Sequence, residues 1–416
     1  MNLLKYIFIA IIFTFIGYKN PSLIENPKKY IKFYSKKLGL SKTFTSDVKQ
    51  LEIIKENKDL DILTNIETVE GNSFDLNYRK VLNFDDRTAG FYITLNDDNP
   101  NFEIFLQDGI KITNNTVKEM NLPLNISFEK NGGIKSVFKK NDINFAIVSS
   151  KKIQNCYYAS IYNLELKQNI LKTDCLPDYE NVDFNGLGGA FINYEDNLVL
   201  SIGAPEWNSN EIRNLAQKEN SLYGKTIIIK DNFLNSDSIE SIKKEDVEIF
   251  TKGHKNPQGI TLIDNKIYSV EHGPQGGDEL NLLKKSNNYG WPLVSYGTLY
   301  NNGKSFLKKS NDTSAPIYTF LPSIAPSSIN KCPSNLKSYY KENYCIMILS
   351  LRGMSLFIAL IDKKDSRLIS LEKFLINQRL RHFGLNSDNE MFQKNNNFYI
   401  SVDNEGIYEI EFNNFR

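Results

Sequence analysis

The chain has 416 residues, 50 basic and 49 acidic, for a formal net charge of +1, so it lacks the basic footprint of a nucleic-acid-binding protein. Its length admits one large all-β unit or two ordinary domains. With 22 Tyr and 26 Phe against 5 Met, the composition favours strands, because aromatic and branched side chains pack well on a pleated surface.

Residues 1–20, MNLLKYIFIAIIFTFIGYKN, place a lysine before an apolar run from Tyr6 to Tyr18. That run has the length of a signal-peptide core and is short for a spanning helix, which needs roughly 17–25 residues. No small-x-small cleavage site follows. A cleaved export signal and a retained membrane anchor through residues 6–18 therefore both stay open, and either predicts an exported protein, periplasmic or anchored facing the extracytoplasmic side. A buried core helix would have to explain an apolar run with no polar face. Residues 21–50 are polar and lysine-rich and read as a stalk. Residues 51–416 are expected to hold the folded β-domain.

From about residue 60, short apolar runs such as GFYITL, INFAIVSS, NLVLSIG, KTIIIK, KIYSVE, SLFIALID and GIYEIEF alternate with clusters of Asn, Asp, Gly and Lys. Runs of this length bounded by turn residues read as strands joined by hairpins, with no long helical period between them. The segments FINYEDNLVLSIG, ITLIDNKIYSVEHG and MFQKNNNFYISVDNEG share one theme, a weak repetition of the kind that propeller blades give. At about 55 residues per blade the length suits six blades. Four cysteines fall into two local pairs, Cys156 with Cys175 and Cys332 with Cys345. Export makes two short-loop disulfides the expectation, and four buried thiols the alternative. No Cys-x-x-Cys or His-rich spacing points to zinc, and no serine nucleophile elbow or metalloprotease spacing points to a hydrolase.

The stretch GHKNPQGITLIDNKIYSVEHGPQGGDELNLL, residues 253–283, is followed by NNYGWPLVSYG. In that order these motifs resemble the glucose/sorbosone dehydrogenase family, quinoprotein sugar dehydrogenases that use pyrroloquinoline quinone (PQQ) and calcium. LYGKTIIIK (222–230), SIAPSS (323–328), LSLRGMSLF (349–357) and QRLRHFGLNSDNEMF (378–392) extend the likeness over about residues 183–411. The resemblance implies a six-bladed β-propeller. It also implies that Lys255, Asn256, Tyr300, Ser323, Ile324, Ala325, Arg352, Arg379 and Arg381 line a PQQ cavity. A tricarboxylate quinone needs such cations and amide donors. Gly273 and Pro274 would offer carbonyls to a cofactor calcium, with Glu279 and Tyr289 at a second calcium, a hard cation that prefers oxygen ligands.

The family's general base is a histidine two residues before a Gly-Gly pair. Here DFNGLGG places Gly186 at that position, with Asp183 and Asn185 as its polar neighbours. The chain's three histidines, His254, His272 and His382, all fall in other motifs. Two functions follow from the resemblance: a PQQ- and calcium-dependent aldose dehydrogenase acting on a small sugar, or a lapsed propeller that binds a sugar, calcium or a protein partner. Loss of a positioned base typically costs about 100- to 10,000-fold in rate.

Overall fold

In the computed structural model the described residues are 64–97, 99–113, 116–120, 122–153, 155–230, 234, 242, 243 and 247–416. The expected export segment, its 6–18 anchor, the 21–50 stalk and the 51–63 start of the β-domain lie outside them. No helix among the described residues is long and apolar enough to cross a membrane.

The six sheets are antiparallel and follow one another along the chain. Blade 1 comprises Thr88–Asn96, Asn99–Leu106, Ile110–Thr113 and Thr116–Glu119. Blade 2 comprises Ile134–Lys140, Ile143–Lys151, Tyr157–Asn163 and Gln168–Lys172. In blade 3 the strands are Gly188–Tyr194, Asn197–Ile202, Lys225–Lys230 and Glu248–Lys252. Blade 4, which contains most of the 253–283 stretch, is Asn256–Ile263, Lys266–His272, Asp278–Leu283 and Tyr318–Phe320. Blade 5 follows as Pro326–Lys331, Asn343–Ser350, Ser355–Asp362 and Leu368–Leu375.

Blade 6 closes the ring. Its inner three strands, Leu380–Phe383, Phe398–Val402 and Gly406–Asn413, come from the end of the chain, and its outer two, Asp75–Leu82 and Glu67–Glu70, from the beginning of the described residues. Asp75 pairs with Asn413 and Leu82 with Ile407. The first strand of each blade touches the first strand of the next, and that of blade 6 returns to blade 1. The result is a six-bladed β-propeller, as the sequence predicts.

The continuous apolar runs have a physical cause. A middle strand such as INFAIVSS is covered on both faces by neighbouring blades, so Phe145 to Ser150 are all buried and alternation has no solvent face to mark. One core joins blades 2 and 3 through Phe138, Phe145, Leu198 and Ile227. Another joins blades 5 and 6 through Met347, Ile358, Phe398 and Ile410. Hairpin turns use Asp and Asn in the left-handed region, as at Asp264 (φ 46°) and Asn265 (φ 61°), where the local twist matches that of the flanking strands. Both expected disulfides are present, Cys156–Cys175 (Cα–Cα 5.1 Å) closing blade 2 and Cys332–Cys345 (5.4 Å) closing blade 5. Among the described residues no cysteine is free.

One irregularity recurs in every blade. Each inner strand loses register with its neighbour within its first residues: at Thr88/Gly90, Ile134/Ser136, Gly188/Phe191, Pro257/Gly259, Pro326/Ser328 and Leu380/Phe383. A bulge inserts an unpaired residue and re-aims its side chain. Six bulges at the same level bring residues far apart in sequence to one end of the central channel.

Candidate functional site

A pocket of about 370 Å³ opens at the strand-start end of the channel. Arg87 enters it from the loop before blade 1, Lys135 from the bulge of blade 2, and Asp183, Asn185 and Gly186 from the turn before blade 3. Lys255 and Asn256 come from blade 4, Ala325 from the loop before blade 5, and Arg379 and Arg381 from blade 6. Trp207 and Tyr300, 69% and 56% exposed, stand in its lining with Trp291.

The predicted residues Asp183, Asn185, Gly186, Lys255, Asn256, Pro274, Tyr300, Ala325, Arg379 and Arg381 are thus brought together. Ser323, Ile324 and Arg352 stand outside the immediate lining, Arg352 near enough to Tyr300 to act on it through its charge. The Ser323 hydroxyl accepts the Gly276 N–H at 2.9 Å, the Ile324 side chain packs into the core between blades 4 and 5, and Arg352 is exposed. Gly273, Glu279 and Tyr289 are likewise outside the lining. Arg87, Gln107, Lys135, Glu206, Trp207 and Trp291 line it without having been singled out in the sequence. Arg87 and Lys135 stand at inner-strand starts, Gln107 directly after the second strand of blade 1, and Glu206, Trp207 and Trp291 in the loops of blades 3 and 4.

Charge is distributed unevenly. Five cationic side chains, Arg87, Lys135, Lys255, Arg379 and Arg381, face two acidic ones, Asp183 and Glu206. Glu206 is already spent: it accepts from Arg213 Nη2 at 2.9 Å and from the Ser209 N–H at 2.9 Å. Behind the pocket, buried Asp403 accepts from Arg381 Nε and, at 2.6 Å, from Nη2. Arg379 and Arg87 reach the same carboxylate at 3.4 and 4.0 Å. Burial alone would raise the Asp403 pKa, but the hydrogen bonds and charge of Arg381 outweigh it and hold the carboxyl below its ordinary range. One anion therefore anchors three guanidinium groups and leaves their surplus charge facing the pocket.

The loops are held by amide and carboxylate ties. Asn256 Oδ1 accepts from the Gly188 N–H at 3.0 Å and its Nδ2 donates to the Asn185 carbonyl at 3.1 Å, tying blade 4 to blade 3. Asp278 accepts from the Gly273 N–H at 3.1 Å and the Ala325 N–H at 2.7 Å, holding Ala325 at φ 51°. Gly188, at φ +76°, sits where a Cβ would lie 2.9 Å from the Pro257 carbonyl oxygen, so only glycine allows the blades to meet there. At Gly186 a Cβ would come within 3.1 Å of Pro205 Cα. A larger residue there must displace that segment.

None of the three imidazoles replaces the missing one. His254 is fully buried, stacked on Tyr289 at 4.9 Å and paired through Nδ1 with Glu271 at 3.0 Å. His272 lines the pocket, but Nδ1 is taken by Asn256 at 3.2 Å and Nε2 by the Pro326 carbonyl at 2.9 Å, and burial lowers its pKa. His382 is pushed down to about 3 by burial and the adjacent Arg381 charge.

Against this geometry the comparisons are informative. The family model described as Glucose / Sorbosone dehydrogenase matches residues 113–400. The chain belongs to that family. An uncharacterised protein of Synechocystis is 34% identical over 146 residues, 32% of this chain and 35% of that protein. Aldose sugar dehydrogenase YliI of Escherichia coli is 36% identical over 124 residues, 29% of this chain and 32% of that one. The matches span about a third of the length of these curated relatives. The apo-form structure of soluble aldose sugar dehydrogenase from E. coli superposes with a TM-score of 0.61 at 19% identity, covering 83% of this chain and 99% of that one. The PQQ-bound form of aldose sugar dehydrogenase from Streptomyces coelicolor gives 0.54 at 17%, covering 84% and 98%. At such identities the superpositions speak for the propeller fold.

The two cofactors that the motif resemblance implies, PQQ and calcium, can be weighed against the donor set of this propeller. A quinone bearing three carboxylates fits a pocket with three guanidinium groups, the Lys255 ammonium and little free counter-charge. Calcium fits a different place. Glu279 is 8% exposed; burial, and after it the Glu271 carboxylate, push it well above the ordinary range, with Asn281 only partly offsetting. Asn281 Nδ2 donates to Glu271 at 3.0 Å and Glu279 at 3.2 Å, while its own Oδ1 is buried without a partner. Two buried carboxylates beside an unsatisfied amide oxygen make an oxygen set that a hard cation would relieve. Among the described residues no group of three or more His, Cys, Asp or Glu is arranged to hold a metal, so backbone oxygens would have to complete the shell.

Proposed function

We propose that this protein is an exported, calcium-dependent aldose dehydrogenase that holds a PQQ-type ortho-quinone in the strand-start pocket. The observation that carries the reading is the convergence of Arg87, Lys255, Arg379 and Arg381 on one cavity, an excess of cationic charge that answers the three carboxylates of such a quinone. The relatives support it, since one is an aldose sugar dehydrogenase and one solved neighbour holds PQQ. The two disulfides support export into an oxidising compartment.

When bound, the quinone supplies a two-electron, hydride-accepting carbonyl. The chain's residues do the remainder. Arg379 and Arg381, fixed by Asp403, grip carboxylates with planar forks. Lys255, 5.7 Å above the Trp291 ring, adds a point charge. Gly273 and Pro274 stand in the loop before Asp278, with Pro274 in the lining, and offer carbonyls to a cofactor calcium. Glu279 and Tyr289 serve the second ion. Trp207 and Tyr300 offer apolar faces to a sugar ring at the mouth.

Titration of the purified full-length chain with PQQ and calcium, followed by dye-linked oxidation of an aldose panel, tests this reading. Saturable one-to-one binding with turnover is expected. Absence of quinone binding sinks it. A second reading, a lapsed propeller that binds without oxidising, is favoured by the vacancy at Gly186, and tight quinone binding without turnover would select it.

A further inference from the structure

Oxidation of a sugar hydroxyl to a carbonyl needs an acceptor for the hydroxyl proton, and the pocket's contents narrow the choice. Guanidinium groups do not deprotonate in proteins. Glu206 is committed to Arg213 and Ser209, His272 has both nitrogens engaged, and Asp183 accepts from the Asn131 amide and the Asn185 N–H, both at 3.0 Å. Two amines remain, and since Lys255 lies over the Trp291 ring and is assigned above to the quinone's charge, the candidate is the amine of blade 2.

We propose that Lys135 Nζ is the general base of this pocket, taking the sugar's hydroxyl proton, an inference that rests on the quinone-dependent oxidation proposed above. The hydroxyl proton passes to the neutral amine, giving an ammonium. The C–H bond of the same carbon breaks with its electron pair, which the ortho-quinone accepts as hydride. The carbonyl forms between that carbon and its oxygen, so atoms and electrons balance.

Position is the first support. Ile134 pairs with Val148 and Ser136 with Ile147, which leaves Lys135 as the unpaired residue of the bulge. It occupies in blade 2 the place that Arg381 and His382 share in blade 6, and it lines the same pocket as Gly186. The second support is its docking to the turn that carries Gly186. The turn before Lys135 has Lys130 at φ 54° and Asn131 at φ 57°. From it the Lys130 carbonyl accepts the Phe184 N–H at 2.9 Å, Lys130 Nζ donates to the Glu180 carbonyl at 2.8 Å, and the Asn131 amide donates to Asp183. Lys135 Nζ itself donates to the Asn131 carbonyl. The amine is thereby held by the same few residues that fix the turn over 183–186.

Its protonation state is the third support. Loss of hydration, and after it the positive charges of Arg381 and Arg87, lower Lys135 to about 7, with Asp183 opposing. A base with that pKa is matched to neutral operation. The pocket's His382, near 3, is too weak. Lys225 is lowered to a similar value yet cannot serve. It is fully buried and spends three N–H groups on the carbonyls of Leu215, Ala216 and Tyr223 at 2.9, 2.9 and 3.0 Å. Lys135 has one carbonyl partner, so as a neutral amine it retains a lone pair.

Competitive acylation of the full-length chain with acetic anhydride across pH, read by mass spectrometry, gives the first test and needs no quinone. A labelling midpoint for Lys135 near 7 is expected, against roughly 10.4 for exposed lysines; a midpoint near 10 overturns the proposal. The second test compares Lys135→Arg and Lys135→Ala with the parent chain. Both variants are expected to bind PQQ in an absorbance titration while turnover falls about 100- to 10,000-fold, and small primary amines should restore part of the Lys135→Ala rate. Turnover of Lys135→Arg within a few-fold of the parent, or no amine rescue, sinks the lysine alone. If the parent chain binds no PQQ, the quinone reading fails and takes this one with it.

Discussion

The two mouths of the propeller channel are built by the same six inner strands and share almost nothing else. At the strand-start mouth the pocket carries five cations and two carboxylates. At the strand-end mouth a cavity of about 430 Å³ is lined by Asp264, Asp388 and Glu390 with Lys331 as its one cation, among Gly259, Ile260, Leu262 and Ile329. The bulges explain the division. All six lie at strand starts, where they turn side chains inward and free loops to carry Arg, Lys, Asn and Gly. At the other ends the inner strands of blades 1 to 4 run on into short hairpins, while blades 5 and 6 carry the longer connections 332–342 and 384–397. Function concentrates where the ladder is interrupted.

The largest effect is expected from Arg381→Ala. It removes the two-pronged partner of Asp403, itself 5% exposed, and stranding a buried charge costs about 3–5 kcal/mol, measurable by denaturant midpoint. Arg379→Ala, whose side chain is 45% exposed, should leave stability nearly unchanged and weaken PQQ binding, which separates grip from folding. The Asp403 anchor also sets a pH dependence. Because its folded pKa is depressed, its stabilisation is present above the ordinary aspartate range and is lost as pH falls through and below that range; acid titration of Arg381→Ala should lack this loss.

Calcium is next in size. Relief of the Glu271–Glu279 pair predicts a thermal midpoint that rises with added calcium, by about 2.7 kcal/mol of stability at a hundredfold excess over the dissociation constant. Glu279→Gln should abolish that response. A smaller change is expected at the rim, where Trp207→Ala should raise KM a few-fold, up to about tenfold, the scale of a lost aromatic contact, with kcat retained. The smallest sharpens the contrast between the mouths. Lys331 makes only an exposed pair with Glu390 at 3.6 Å, so Lys331→Ala should alter stability by less than about 1 kcal/mol and leave quinone binding untouched.

Much of this was legible in the sequence, and for definite reasons. Chain length suited six blades and the motif resemblance implied them, and the 253–283 stretch could be read because its turns depend on Gly, Pro and Asn at fixed places. Lys255, Asn256, Arg379 and Arg381 reach the pocket because each stands at an inner-strand start. Arg87, Gln107, Lys135 and Trp207 were missed because inner-strand bulges and connecting loops have no periodic signature: Lys135 sits in GGIKSVF, where alternation alone gives no hint of the channel. Within residues 323–325 only Ala325 is in the lining. Asp278 draws the Ala325 N–H inward, which leaves Ala325 at the pocket and turns its two predecessors to the loop and the core.

The central claim is that the cationic strand-start mouth, and not the other, receives an anionic quinone. An absorbance titration of PQQ into the calcium-loaded chain, run in parallel with Arg379→Ala and Lys331→Ala, tests it most directly. The account predicts one saturable site, weakened by Arg379→Ala and unaffected by Lys331→Ala. No saturable site, or one that responds to Lys331→Ala and ignores Arg379→Ala, would contradict it.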